Sequence, residues 1–395
     1  MTEPRTIPER AAVAILAGGA GRRLWPLTRE RAKPALPLAG GLRLVDVPLR
    51  LASRAGFERV FVLAQRDMGE LRRHAEAADA TVLTPSGDAV RGGAYRGSAD
   101  AVRRHLEVLL DGVDELLILC ADLVIDLDLA ALLTTHRRAG AALTLVAQPI
   151  TDDEAASFGV LRLAADGRVE AFVEKPTEHG ELERLRSAPA ALAAADLPAD
   201  QLLGSAGLYV ASAHALRSLL DDPEIDDFGS EIFPRWVSVS DESARMGGTV
   251  QAKIHSGYCR DLGTVRDYYE SNLELAGPTP PLRFAPSPTT SSASEATRGT
   301  IIRRSLVGPG CRIGDGSALD DCLLLGEPTR RIEIGRGCRL RGVIVDRGAR
   351  LGDGCRLGWE PGPRDDRRPR LDGVSVHDGV LVVAAGAELP AGTVL

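Results

Sequence analysis

In the last quarter of the chain, aliphatic residues return at every sixth position. Val307, Ile313 and Leu319 form one run, Ile334 and Leu340 a second, Val345, Leu351 and Leu357 a third, and Val383, Leu389 and Leu395 a fourth. Six is the step of a left-handed parallel β-helix. In that architecture three short strands make each triangular coil and each side contributes one inward aliphatic. Gly308, Gly314 and Asp315 suit the corners. The plainer alternative is generic Gly-rich β structure. The rhythm breaks across Gly326 to Arg331 and Trp359 to Arg370, which read as loops projecting from a coil.

The first two thirds obey a different rule. From Arg10 to about Leu275, short apolar runs alternate with longer amphipathic stretches, the pattern of strands and crossover helices in a parallel sheet. Ala12–Leu16, Val60–Ala64, Leu116–Leu119 and Leu143–Val146 read as buried strands, because strands covered on both faces need continuous apolar runs. Ser98 to Leu110 reads as a helix. Between the two regions, from Gly277, the chain is dense in Pro, Ser and Thr and can propagate neither a helix nor a central strand. The expected division is an α/β domain over 1–276, a linker over 277–299 and a β-helix over 300–395.

Composition narrows the partners. The 395 residues carry a net charge of −7, with 44% hydrophobic, 26% charged and 4% aromatic residues. That is an ordinary globular composition with no electrostatic footprint for nucleic acid or anionic lipid. The six cysteines include no C-x-x-C pair, which argues against structural zinc and a disulfide framework. Ala11 to Ala17 is too short for a membrane span and lacks a signal peptide's layout. The expectation is a reducing cytoplasm.

The chemistry concentrates first at Leu16-Ala17-Gly18-Gly19-Ala20-Gly21-Arg22-Arg23-Leu24-Trp25-Pro26-Leu27-Thr28, followed by Lys33-Pro34. Glycines at a strand end let the backbone approach a ligand and turn N–H groups toward phosphate oxygens, and Arg22, Arg23 and Lys33 add positive charge. The segment fits neither a Walker loop, which needs Gly-Lys-Ser/Thr, nor the dinucleotide fingerprint, which needs Gly or Ala where Leu24 stands. A Gly-rich turn alone is more often plain punctuation.

That segment resembles the G-G-x-G-x-R-L-x-P-L-T…K-P motif of sugar-1-phosphate nucleotidyltransferases. Six further segments follow in order: Arg43-Leu-Val-Asp46-Val-Pro-Leu, Tyr95-Arg-Gly-Ser-Ala-Asp100-Ala-Val, Phe172-Val-Glu174-Lys175-Pro176, Ser205-Ala-Gly-Leu-Tyr209, Asp227-Phe-Gly-Ser-Glu231-Ile and Gly257-Tyr-Cys-Arg-Asp261-Leu-Gly-Thr264. Together they are similar to the ADP-glucose pyrophosphorylase branch, including its C-terminal β-helix. The resemblance implies a Rossmann-like nucleotidyltransferase domain with a mostly parallel sheet, plus a C-terminal left-handed parallel β-helix. It also implies transfer from a nucleoside triphosphate to a sugar 1-phosphate, release of pyrophosphate and Mg²⁺ as cofactor. The nucleophile of such a reaction is already an anion, so no general base is required, and a Ser-His-Asp set is not expected.

By position in the matched motifs, Arg23 contacts the leaving phosphates beside the Gly18, Gly19 and Gly21 amides. Arg22 is a neighbouring cation, and Lys33 stabilises the nucleotide phosphates. Asp122 and Asp261 match the two Mg²⁺ carboxylates; strand-end capping is the alternative, and for Asp122 it is the pairing with Asp261 that favours the metal. Lys175 matches the position that holds the sugar phosphate and Glu174 one that accepts from sugar hydroxyls; a solvated surface pair is the alternative. The resemblance further implies that Ser205, Asp227 and Ser230 line the acceptor pocket and that Gly97 and Ala99 pack beneath the base. The β-helix is expected to serve homo-oligomer contacts, in a tetramer or dimer.

Departures from the family concern recognition. Where the family carries a Pro-Gln-Gln-like segment whose glutamine reads adenine, this chain has Leu83-Thr84-Pro85-Ser86-Gly87, which leaves the base open. The usual Gly-Asp-His-x-Tyr is Ala121-Asp122-Leu123-Val124-Ile125, Cys259 replaces a tryptophan, and Ala94 stands where an indole precedes Tyr95. A pocket that loses hydroxyl-binding partners tolerates a more apolar acceptor. Valienol-1-phosphate guanylyltransferases of aminocyclitol biosynthesis fit that pattern, with glucose-1-phosphate adenylyl transfer as the other candidate. A non-catalytic regulatory subunit is the competing class. Retention of Arg23, Lys33, Asp122, Lys175 and Asp261 argues against it.

Overall fold

The computed structural model describes residues 9–19, 21–65, 69–85, 93–238, 248–277, 279–282, 295–296, 298–358 and 371–395. The chain forms two compact units that do not follow its linear order. One runs up to Gly19 and resumes from Val45 to Cys259; the other joins Ala20–Leu44 to Arg260–Leu395.

Among the described residues, the first unit is built on a nine-stranded sheet. Its parallel half runs Glu115–Cys120, Ala11–Ala17, Val60–Ala64 and Thr81–Leu83, with Leu16 opposite both Cys120 and Leu63. The inner strands are almost wholly apolar because both faces are covered: Val13, Ile15, Val62, Leu117 and Leu119 have no appreciable exposure, whereas Thr81–Leu83 at the edge is only partly buried. The other half is organised by the long strand Leu202–Ser212, which runs antiparallel to Glu115–Cys120, Leu143–Ile150 and Gly159–Leu163. The sheet is therefore mixed, with its parallel part confined to the N-terminal strands and to the pair Leu143–Ile150 with Val250–Ile254. The helix expected from Ser98 to Leu110 is broken at His105 into Ser98–Arg104 and Leu106–Leu109.

The second unit contains the β-helix. Three parallel ladders climb it. The first is Glu295–Ala296, Cys311–Ile313, Ile332–Ile334, Arg350–Leu351 and Glu388–Leu389, and the second is Ile301–Arg303, Ala318–Asp320, Arg339–Arg341 and Arg356–Leu357. The third is Leu306–Val307, Leu323–Leu325, Val343–Asp346 and Val380–Val383. The aliphatics of the six-residue period fill the coil interior: Val307, Ile313, Leu319, Ile334, Leu340, Val345, Leu351, Leu357, Val383 and Leu389 are buried, and Leu395 is half-buried. Four cysteines share that interior. Burial pushes the thiols of Cys311 and Cys322 up to about 12. Part of the stretch read as a linker, 283–294, lies outside the described residues, as does 359–370; the first ladder strand begins at Glu295.

Ahead of the β-helix, Val265–Leu275 is a helix started by a capping box, Thr264 accepting from the Asp267 amide and Asp267 from the Thr264 amide. The 20–44 segment packs on these elements through polar contacts. Asn272 Oδ1 accepts from the Ala39 amide at 3.0 Å, and the Tyr268 hydroxyl donates to the Pro37 carbonyl. A buried ion cluster completes the attachment: Arg31 pairs with Asp346, and Glu327 gathers Arg31, Arg43 and Arg347. Burial raises the Asp346 carboxyl, whereas at Glu327 burial is outweighed by Arg347 and the other guanidiniums, which hold it below the ordinary range. No helix among the described residues is long and apolar enough to cross a membrane.

Candidate functional site

In the first unit the parallel strands end together, the position at which open α/β sheets receive ligands. Gly18 and Gly19 follow the Ala11–Ala17 strand. A Cβ on Gly18 would stand 3.7 Å from the Tyr95 ring, and one on Gly19 would meet nothing within 4 Å. At the end of the neighbouring strand the Ala121 amide bonds the Leu16 carbonyl at 3.0 Å, so the half-buried Asp122 stands in the turn beside the start of the glycine segment. Leu123, Val124 and Ile125 after it are fully apolar and buried.

Gln65, which no motif singled out, ties this region together. Its side chain donates to the Tyr95 carbonyl at 3.1 Å and accepts from the Tyr95 amide at 2.9 Å. A polar residue directly after a buried strand was the available signal. The Tyr95 hydroxyl shares a 2.6 Å hydrogen bond with His105 Nε2. Gly97 precedes the Ser98–Arg104 helix, and a Cβ there would fall 2.3 Å from the Asp226 carbonyl, so only glycine admits this approach. Ala99 is fully buried and donates its amide to the same carbonyl at 2.8 Å. Gly97 and Ala99 therefore abut the 226–228 segment. Ser86 and Gly87, on which base choice was argued, lie outside the described residues.

The acceptor candidates also gather in the first unit. Asp227 Oδ1 accepts from the Gly229 and Ser230 amides and the Ser230 hydroxyl, and Oδ2 accepts from Ser98 Oγ. Burial alone would raise its pKa, but these four hydrogen bonds to the ionised form outweigh it and hold the carboxyl below its ordinary value. Glu174 reaches the same loop: a Cβ on Gly229 would lie 3.1 Å from Glu174 Oε2. Lys175 Nζ is 3.3 Å from Glu174 Oε1. Lys175 itself has φ 50°, a left-handed conformation that costs a non-glycine residue energy and is concentrated at functional positions. Ser205 opens an irregularity in the register of the Leu202–Ser212 strand, with Gly207 at φ 70°, a device that re-aims side chains. Phe233 packs edge to face with both Phe172 and Tyr209, and Tyr209 meets Phe228 at a tilt of 52°.

The cations of the glycine segment, Arg22 and Arg23, and Lys33 belong to the second unit. Gly21, at φ 62°, caps the short 3-10 turn Arg22–Leu24, and its carbonyl accepts from the Thr28 hydroxyl at 2.8 Å. Arg22 and Arg23 are exposed, and Lys33 is buried with its Cβ 3.2 Å from where a Gly21 Cβ would stand. Asp261 ends the Cys259–Asp261 strand and is exposed. Two residues on, a Cβ on Gly263 would lie 3.3 Å from both terminal nitrogens of Arg23 and 3.3 Å from Asp261 Oδ2. Arg23 and Asp261 are thus brought to one point.

A family model described as nucleotidyl transferase matches residues 12–277. A second, described as GlmU-like C-terminal hexapeptide, matches residues 288–383.

Proposed function

The chain belongs to the nucleotidyl transferase family, with a GlmU-like hexapeptide domain behind the catalytic region, and we propose that it uses a cyclitol 1-phosphate of the valienol type as acceptor and guanosine triphosphate as donor. Enzymes of this family transfer a nucleotidyl group to a sugar phosphate and typically use a divalent metal. The observation that carries the narrower reading is the strand after Asp122. Leu123, Val124 and Ile125 are 4%, 0% and 1% exposed, so that edge offers no side-chain partner to acceptor hydroxyls. A site without those partners discriminates less in favour of a fully hydroxylated hexose and tolerates a more apolar ring.

In this reading Arg23, with Arg22 beside it, neutralises the leaving phosphates, and Gly18, Gly19 and Gly21 supply backbone amides. Lys33 stabilises the charge that develops on the nucleotide phosphates. Asp122 and Asp261 would hold Mg²⁺. Two carboxylates of hard oxygen would suit that ion. The bound ion would draw charge from the pyrophosphate leaving group. Lys175 takes the acceptor phosphate, Glu174, Asp227, Ser205 and Ser230 orient the ring, and Gly97 and Ala99 support the base. The β-helix serves homo-oligomer assembly, as a tetramer or dimer, and the enzyme acts in the cytoplasm.

Pyrophosphate release by the purified chain with Mg²⁺, using ATP or GTP against glucose 1-phosphate or valienol 1-phosphate, tests the proposal. GTP with the cyclitol is the expected pair. Strict use of ATP and glucose 1-phosphate overturns the narrower reading, and no turnover with any pair favours a regulatory subunit. Light scattering at micromolar concentration checks assembly; a monomer contradicts it.

A further inference from the structure

The six-residue rhythm fails before Val383, and the structure puts an antiparallel hairpin there. Val374–His377 pairs antiparallel with Val380–Val383 in the register His377 opposite Val380, while the other strand pairings of the coil among the described residues are parallel. Asp378 and Gly379 form the tip with φ of 49° and 74°, the left-handed pair that a two-residue hairpin turn requires. This tip makes no contribution to the coil interior.

It makes specific contacts elsewhere in the second unit. Asp378 Oδ2 accepts from the Val265 amide at 3.2 Å, and the Asp378 carbonyl accepts from Arg266 Nε at 2.8 Å. Val265 is the first residue of the Val265–Leu275 helix, so its amide has no acceptor within that helix, and a carboxylate at that end also suits the helix dipole. On the other strand of contact, His377 meets Trp25 edge-on, ring centroids 5.6 Å apart at 74°. Trp25 directly follows the Arg22–Leu24 turn, and Val265 lies two residues beyond Gly263. One hairpin tip thereby holds both segments whose side chains, Arg23 and Asp261, converge at Gly263.

We propose that the 374–383 hairpin is a positioning device for nucleotidyl transfer, in which Asp378 and His377 fix the Asp261 and Arg23 segments beside Gly263. The proposal rests on the reading above, in which Arg23 meets the triphosphate and Asp261 the metal. Neither hairpin residue touches substrate in this account; both act through the segments they hold.

The test uses the full chain and three variants. Asp378→Gly keeps the left-handed turn without strain and removes the carboxylate, Asp378→Asn keeps an acceptor oxygen, and His377→Ala removes the ring contact. Hydrogen exchange in peptides covering 261–268 and 22–30 is followed beside kcat, the Mg²⁺ half-saturation and the acceptor KM. In Asp378→Gly, exchange at the start of the helix should rise by about tenfold or more as local opening becomes easier. Its kcat should fall by about ten- to a hundredfold through misplacement of the reacting groups. Mg²⁺ half-saturation should rise while the acceptor KM holds. Asp378→Asn should behave like the parent, and His377→Ala should loosen the 22–30 peptide. Unchanged exchange, or full kcat in Asp378→Gly despite faster exchange, overturns the positioning role. A parent protein without turnover whose Asp378→Gly variant still exchanges faster overturns the functional reading while supporting the clamp.

Discussion

Ser98 Oγ donates a 2.8 Å hydrogen bond to Asp227 Oδ2 and accepts one from the Phe228 amide at 3.0 Å, so a single hydroxyl joins a helix start to the acceptor loop. Ser98→Ala removes one of the four bonds that lower the Asp227 pKa. Because the folded value lies below the unfolded one, this carboxylate's share of stability is complete above the ordinary value of 3.8 and disappears as pH falls through the folded value. Thermal unfolding of parent and variant should therefore differ most at neutral pH, and the gap should narrow without closing as pH falls below 3.8 through the folded value, because the lost Phe228 contact does not titrate. A gap that widens in acid would contradict the assignment.

Gly97→Ala tests the close approach at the same junction. The new methyl would sit 2.3 Å from the Asp226 carbonyl oxygen, which also accepts from the Ala99 and Asp100 amides and cannot simply move away. Denaturant unfolding should show a loss of about 1–3 kcal/mol, the usual cost of forced overpacking.

Arg31→Met should be among the most damaging single changes in the second unit. It leaves Asp346 and part of the Glu327 cluster charged, buried and short of a partner, at a cost of about 3–5 kcal/mol in thermal or chemical unfolding. Arg31→Lys should recover little, because an ammonium cannot reproduce a guanidinium that reaches two carboxylates.

For the chemistry, Arg23→Ala and Lys33→Ala should each lower kcat by about 10²–10³-fold, the usual effect of removing one preorganised charge-stabilising group. Circular dichroism should show the Arg23 variant folded as the parent, since that side chain is exposed.

Chelation offers an independent check. Treatment with EDTA should abolish pyrophosphate release and added Mg²⁺ restore it, and Asp261→Asn should raise the Mg²⁺ concentration required. Activity that survives chelation would remove the metal role assigned to Asp122 and Asp261.

The parallel strands and the coil interior were legible in the sequence because each obeys a local periodic rule. Continuous apolar runs such as Val60–Ala64 name buried strands, and the sixth-residue aliphatics from Val307 onward name the coil. The antiparallel half was not legible: Leu202–Ser212 carries Gly204 and Gly207, residues that weaken a strand pattern, yet it is one long strand with a register irregularity between Ser205 and Tyr209. Nor could periodicity show that 20–44 joins the β-helix unit, since that depends on Arg31 finding Asp346 and Tyr268 finding Pro37 far along the chain. At the site, Asp227 was named from its motif, but its bond to Ser98, one of the four that lower its pKa and the one made by a distant element, was visible only in three dimensions. The His105 break in the Ser98–Leu110 segment was likewise missed, because the apolar pattern continues across it.

Four of the six thiols, those of Cys311, Cys322, Cys338 and Cys355, are sealed inside the coils, and Cys120 and Cys259 are partly accessible. An alkylating dye added to intact protein should consequently reach two sulfur atoms at most, and all six only once the stack has come apart. Mass increments after brief labelling thus count how many molecules in a preparation still have a closed coil, without any substrate or instrument calibration.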